Sequence, residues 1–269
     1  MRRAVRQVSP WIERLARIGF VAKAAVYVIV GGVAARAALG MGGRPTDTRG
    51  ALLTILRQPF GTVLLGVVAL GLFGYAAWLL LSAALGSDGR GSRLAPTAAR
   101  LDAACRGIAH AALGGQAVLV IVGWRGKGGN AAREWTARFL AAPFGAWMVA
   151  VAGVAVMGYG ASQLYRAVGG DLRKDLDLAA LGDPAIRWAV RLGRFGMAAR
   201  GVIFSVIGFF LIRAALRYDP RQAKGVAEAL RMLASRPSPP WLLGTVAVGL
   251  VSYGLYELFE ARYRRIRTA

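Results

Sequence analysis

The chain is poor in the residues that carry most protein chemistry. It holds one cysteine, Cys105, so an intramolecular disulfide is impossible. It holds one histidine, His110, so no His/Cys metal cluster can be assembled. Acid is scarce as well: 13 Asp+Glu stand against 35 Lys+Arg, for a formal charge of +22. No nucleophile elbow, phosphate-binding Walker loop, HExxH or CxxC occurs, and the glycine-rich piece Gly126–Gly129 has no strand before it. Together these absences leave no acid–base constellation. The expectation is a non-enzymatic protein with no catalytic residues, no cofactor and no metal.

What the chain has instead is apolar residue in long runs. Hydrophobic residues make up 56% of it and the mean hydropathy is +0.47. A bilayer-spanning helix needs about 20 consecutive apolar residues. Six such runs are found, at about 18–39, 60–85, 101–123, 144–168, 195–216 and 241–262. The basic residues flank them. Such placement matches loop arginines facing anionic lipid headgroups, and not nucleic acid. The basic N-terminus and its apolar run resemble a signal peptide. No small-x-small cleavage site precedes a soluble domain, so the run is expected to be a retained first span.

Proline and glycine punctuate the runs. Ser9-Pro10 and Asp183-Pro184 read as helix starts, with N-caps Ser9 and Asp183 and proline at the first helical position. Behind Ser9, Trp11, Ile12, Leu15 and Ala16 follow at helical spacing as an amphipathic lead-in that runs on into the first span. Pro59-Phe60-Gly61 and Pro143-Phe144-Gly145 open the second and fourth spans, and Pro239-Pro240 precedes the sixth. Short amphipathic helices are expected in the loops at 50–57, 132–141 and 225–234. Gly86–Ala95 reads as a flexible linker and Gly169–Asp183 as the most acidic segment.

These signals recur, and an internal repeat explains them. Arg14–Ala38 returns as Arg191–Ala215 at a shift of 177, with Arg14, Arg17, Gly19, Gly31 and Arg36 meeting Arg191, Arg194, Gly196, Gly208 and Arg213. The two Pro-Phe-Gly signals lie 84 apart. Three units follow, at 10–86, 96–170 and 184–263, each with two spans and a loop helix. Two crossings per unit give all three the same orientation. The expected fold is all-α: six transmembrane helices as three tandem parallel two-helix repeats around a pseudo-threefold axis along the membrane normal, forming one membrane domain.

Each odd span carries a stripe at i, i+4, i+8 and i+12, one face of a helix. It reads Gly19, Lys23, Tyr27, Gly31; Asp102, Arg106, His110, Gly114; and Gly196, Arg200, Phe204, Gly208. Each even span carries another: Gly71, Tyr75, Leu79; Ala155, Tyr159, Gln163; and Gly249, Tyr253, Glu257. Lys23, Arg106 and Arg200 therefore occupy one repeat position, about 8 Å into the span at 1.5 Å per residue. A charge at a span centre costs about 2.5–3.5 kcal/mol on insertion scales, and less near the edge. The plain reading is snorkelling to headgroup phosphates. The sharper one is a ring of three cations binding an anion or a lipid headgroup.

Glu257 breaks the repeat and is expected to pair with Arg200 or Lys23, as an ion pair or a coupling group; Gln163 is its counterpart. Tyr27, His110, Phe204, Tyr75, Tyr159 and Tyr253 either line the axis or pack around it. His110 stands where the other units have an aromatic, and a packed role suits it better than a proton relay. Cys105 reads as an inert core thiol.

At ARIGFVAKAAVYVIVGG (16–32), RGALLTILRQPFGTVLLGVVALGLFGY (49–75), RFGMAARGVIFSVIG (194–208) and YGLYELFEARYRR (253–265) the chain resembles the domain-of-unknown-function 1206 family. The resemblance covers nearly the whole chain; the second unit diverges most. It implies three tandem two-helix units in a bacterial inner membrane, and no activity.

The terminal and even-numbered connecting segments hold 21 of the 35 Lys+Arg when Lys23, Arg106 and Arg200 are counted with them. That bias puts both termini in the cytoplasm. Three function classes remain in view. The first is a structural or partner-binding protein whose basic rim contacts anionic lipid. The second is a small transporter or channel for an anion or other small solute along the axis. The third, a membrane enzyme, has no residues to support it. Mitochondrial carriers also stack three two-helix units, but their Pro-x-acid-x-x-base gates at the odd-helix ends are missing here, which weakens that analogy for the second class. A polar cavity at the level of Lys23, Arg106, Arg200 and Glu257 would discriminate the first two.

Overall fold

A computed structural model describes residues 2–41, 45–85, 96–123, 131–170, 172–175, 182–234 and 240–263. The linker 86–95, Asp177, the glycines 126–129, the tail after Tyr263 and the side chains of the lead-in's Trp11, Ile12, Leu15 and Ala16 lie outside the described residues. Every long described element is a helix: α1 (Arg2–Ala38), α2 (Thr48–Leu56), α3 (Gly61–Leu85), α4 (Pro96–Ile121), α5 (Ala131–Leu140), α6 (Gly145–Gly169), α7 (Asp183–Leu216), α8 (Val226–Ala234) and α9 (Pro240–Tyr263). Six of them, α1, α3, α4, α6, α7 and α9, are long and apolar enough to cross a bilayer. The protein is a multi-pass membrane protein built of three two-helix units. With six spans among the described residues, the end of α9 lies on the side from which α1 enters.

Helix boundaries follow local chemistry. Asp47 caps α2, its carboxylate accepting from the Gly50 amide at 3.0 Å. Phe60 and Phe144 both sit in the left-handed region, at φ 58° and 59°, immediately before α3 and α6. The glycine that follows is obligatory in each case. A Cβ on Gly61 would run into the Leu56 carbonyl, and one on Gly145 into that of Phe139. The same turn is thus built twice from the Pro-Phe-Gly signal.

Two expected starts are corrected. Ser9-Pro10 does not begin a helix, because α1 already runs from Arg2 and passes through both residues. Proline removes one backbone hydrogen bond there, which a 37-residue helix tolerates. At α7 the cap is Gly182; Asp183 is the first helical residue, where its carboxylate faces the positive end of the helix dipole.

The spans form a ring in the order α4, α3, α1, α9, α7, α6. The seams between units are alike. In each, the odd helix of one unit packs on the even helix of another: α4 on α3, α7 on α6, and α1 on α9. Glycine allows the approach. A Cβ on Gly31 would lie 2.8 Å from the Ala247 carbonyl, one on Gly208 2.5 Å from the Met157 amide, and one on Gly114 3.1 Å from the Phe73 ring. Close backbone approach is how helices associate where lipid supplies no hydrophobic drive.

Within units the symmetry fails. In unit one α1 packs on α3, and in unit three α7 packs on α9, but α4 and α6 of unit two have no such seam among the described residues. The ring is open between them, and these two helices are the least buried of the six spans.

At the end away from the termini the interior is aliphatic. Val26, Val30, Leu65, Val68, Leu72, Ile203, Ile207, Val246 and Leu250 meet there, closed over by Leu52 of α2 and Leu230 of α8. Nearer the termini the interior turns polar. Arg17 marks that end, donating at 2.7 Å to the Ala261 and Arg262 carbonyls, acceptors that the last turn of α9 leaves without helical partners.

Candidate functional site

The polar layer lies one to two helical turns inside the terminal end. Lys23, Arg106 and Arg200, which share one repeat position, all line a single cavity of about 50 Å³. At 10–15 Å³ per water, that holds on the order of four waters. Tyr75, Tyr159, Tyr253, His110, Gln163 and Glu260 complete most of its wall.

The three cations meet different partners. Lys23 Nζ lies 2.8 Å from Glu257 Oε2, and neither side chain is more than 10% exposed. Its ammonium also sits 4.4 Å from the Tyr75 ring centre and 4.9 Å from that of Phe20, within cation–π range. Of the two partners expected for Glu257, Lys23 is the one it contacts. Arg106 turns back along its own helix to Asp102, Nη2 to Oδ2 at 2.8 Å, and is half-buried.

Arg200 has no carboxylate within ion-pair distance among the described residues. It is 8% exposed. Its Nη2 donates to the Tyr159 hydroxyl at 3.0 Å, and its Nε, fully buried, has no partner. Aromatic faces surround it: Tyr253 at 4.2 Å, Tyr27 at 5.1 Å and Phe204 at 5.4 Å from the guanidinium carbon. Ring quadrupoles offset part of the desolvation of a cation but supply no counter-charge.

The six ring residues of the two stripes form three pairs across the unit seams. Tyr27 meets Tyr253 with centroids 4.8 Å apart, His110 meets Tyr75 at 4.8 Å, and Phe204 meets Tyr159 at 5.1 Å, all edge-to-face. Such pairs contribute about 0.5–1.5 kcal/mol each beyond burial. The tyrosines both pack and line: their rings make the seams, and Tyr75, Tyr159 and Tyr253 face the cavity. His110 keeps the aromatic's place, and its Nδ1–H donates to the Arg106 carbonyl at 2.7 Å. Gln163 is buried and donates to the Tyr159 hydroxyl at 3.3 Å. Cys105 is corrected: it lies exposed on the outer surface of α4, not in the core.

Sequence reasoning missed Arg166, Glu260 and Met197, all cavity residues. A signal for two of them was present. Carrying the even-span stripe one turn further, from Gln163 by three and from Glu257 by three, reaches Arg166 and Glu260 on the same face. Chemically the site is a polar chamber with more cationic than anionic groups, buried cations held rigidly, and an aliphatic floor toward the far end of the bundle.

The family described as "Domain of Unknown Function (DUF1206)" matches three times, over residues 18–99, 101–170 and 195–264, following the three units. An uncharacterized protein YxxB of Bacillus subtilis (strain 168) is 32% identical over 266 residues, covering 99% of this chain and 96% of its own length. No solved structure matches the chain. With three consecutive family matches and a full-length relative, the chain belongs to the DUF1206 family.

Proposed function

We propose that this is a non-enzymatic protein of the bacterial inner membrane, both termini cytoplasmic, that holds an anion in the Arg200 cavity at the level of the cytoplasmic leaflet. One observation carries the reading: Arg200 is a buried cation beside a polar cavity of about 50 Å³, with an unpartnered Nε and no carboxylate within ion-pair distance among the described residues. A buried charge without a counter-charge is costly, and a bound anion supplies what the protein leaves out. Snorkelling fits Arg200 less well, because its side chain stays inside the bundle among Tyr253, Tyr27 and Phe204. The aliphatic layer around Val30, Val68, Ile207 and Val246 favours a binding chamber over a conduit. Transport of the same anion is the second reading, and it requires that layer to part.

Thermal unfolding of the purified chain in a non-ionic detergent tests the site. An anion that binds only the folded state raises stability by RT ln(1 + [L]/Kd), about 2.7 kcal/mol at one hundred times Kd. Inorganic phosphate and sulfate should shift the wild-type midpoint in a saturable way and leave Arg200→Gln unmoved. Equal shifts in both proteins, or none in either, would sink the reading. Orientation is tested separately: in a Cys105→Ser background, Ser87→Cys in the linker should react with an impermeant maleimide only from the cytoplasmic face. Labelling from the other face reverses the assignment.

A further inference from the structure

The cavity's walls are not equivalent, and the difference is written at two positions. Units one and three close through glycine. A Cβ on Gly19 would lie 2.5 Å from the Gly71 carbonyl, and one on Gly196 would lie 2.5 Å from the Tyr253 Cα. On the facing helices, a Cβ on Gly71 would lie 2.8 Å from the Ile18 side chain, and one on Gly249 would meet the Ala199 Cβ. No side chain larger than hydrogen fits these seams without moving a helix. In unit two the same two repeat positions hold Asp102 and Ala155. Both are exposed, and α4 and α6 stand apart. The gap is bounded by cavity residues on both sides: Arg106 and His110 from α4, and Tyr159, Gln163 and Arg166 from α6.

We propose that unit two is a lateral portal, held open by Asp102 and Ala155, through which the phosphodiester head of an anionic phospholipid enters from the leaflet to meet Arg200. The proposal rests on the anion-binding reading above and names its ligand and its route. Three features select a lipid. Its two walls, α4 and α6, are both of span length, so a gap between them opens sideways toward lipid. The cations lie about 8 Å into the spans, within reach of a headgroup. The flanking cationic side chains, Arg106 and Arg166, sit at the two lips of the gap, where a phosphate passing inward exchanges one guanidinium for the next. Asp102 has a second effect, since it engages Arg106 at 2.8 Å and weakens that lip's hold on a passing phosphate, leaving Arg200 the stronger site.

The test compares two substitutions with opposite expected signs, using the full-length chain. D102G/A155G restores the glycines of the closed units and should bring α4 against α6. D102A keeps a Cβ at the lip and removes the carboxylate, so the portal stays open while Arg106 becomes available. Spin labels on native Cys105 and on Ser162→Cys, both exposed, should report a distance several ångströms shorter in D102G/A155G and unchanged in D102A. Binding is then titrated with phosphatidylglycerol, phosphatidylcholine and inorganic phosphate.

The expected result is that phosphatidylglycerol binds at least ten-fold tighter than phosphatidylcholine to the wild type. D102A should bind phosphatidylglycerol as tightly or tighter. D102G/A155G should lose at least ten-fold for the lipid while keeping its response to inorganic phosphate. If inorganic phosphate binds and phosphatidylglycerol does not, the lipid assignment is wrong and the anion site stands. If all three proteins bind lipid alike, or the label distance does not shorten, the portal is wrong. If no anion binds any of them, the failure lies with the anion-site reading itself.

Discussion

Separating Lys23 from Glu257 is the most direct way to ask whether the polar layer is a designed arrangement or a tolerated one. The two groups are 2.8 Å apart, and the carboxylate is fully buried. At an effective dielectric of about 20 their gross attraction is roughly 6 kcal/mol. Desolvation offsets most of it, so the net value of the pair against apolar replacements is near zero. Removing one partner is different, because it strands the other charge; the expected cost is about 3–5 kcal/mol. Glu257→Leu places the unit-one residue, Leu79, at this position and should destabilise by that amount, as should Lys23→Met. The double variant should recover most of the loss, giving a coupling energy of at least 2 kcal/mol. The charge-reversed pair K23E/E257K should recover part of it. Reversible unfolding in mixed micelles, followed by tryptophan fluorescence, reads all four proteins; Trp78 lies against Tyr75, itself on Lys23. If the single variants cost under 1 kcal/mol, or the double variant costs their sum, the two groups are not a unit and the buried-pair account is refuted.

Two further perturbations test the packing. Gly196→Ala puts a Cβ 2.5 Å from the Tyr253 backbone and should cost about 1–3 kcal/mol by overpacking, whereas Gly158→Ala, with nothing within 4 Å, should be neutral or stabilise by up to about 1 kcal/mol. The same unfolding assay separates them, and equal effects would mean that the seam between α7 and α9 is not close-packed. Asp47→Ala removes the cap of α2 and should cost about 1 kcal/mol, with Asp47→Ser retaining most of it; a null result would mean that the Gly50 amide finds water instead.

The six spans were legible because apolar length and proline punctuation are local signals, and the helices begin within a few residues of them. Ser9-Pro10 misled because a proline that suits a helix start is also tolerated inside a long helix. The polar layer was legible for another reason. A single Lys23 is ambiguous, but Lys23, Arg106 and Arg200 at one repeat position must converge if the units share an axis, and they line one cavity. What could not be read was the gap in unit two. Asp102 and Ala155 were visible as departures from glycine, yet the sequence does not say how close the facing backbone comes at Gly19 or Gly71. That distance turns a conservative-looking change into a missing seam. That Arg200 has no ion pair among the described residues was equally hidden, because Glu257 lay within plausible reach of two cations and only packing chose between them.

The seam between α1 and α9 joins the first of the six spans to the sixth, made much later. At roughly 5–20 residues per second, Glu257 emerges some ten to fifty seconds after Lys23. For that interval the nascent first span lies in the bilayer with its lysine unanswered, and Arg17 has no α9 carbonyls to grip. Chains terminated before the sixth span therefore carry an exposed intramembrane cation, a mark by which membrane quality control can tell an unfinished copy from a finished one.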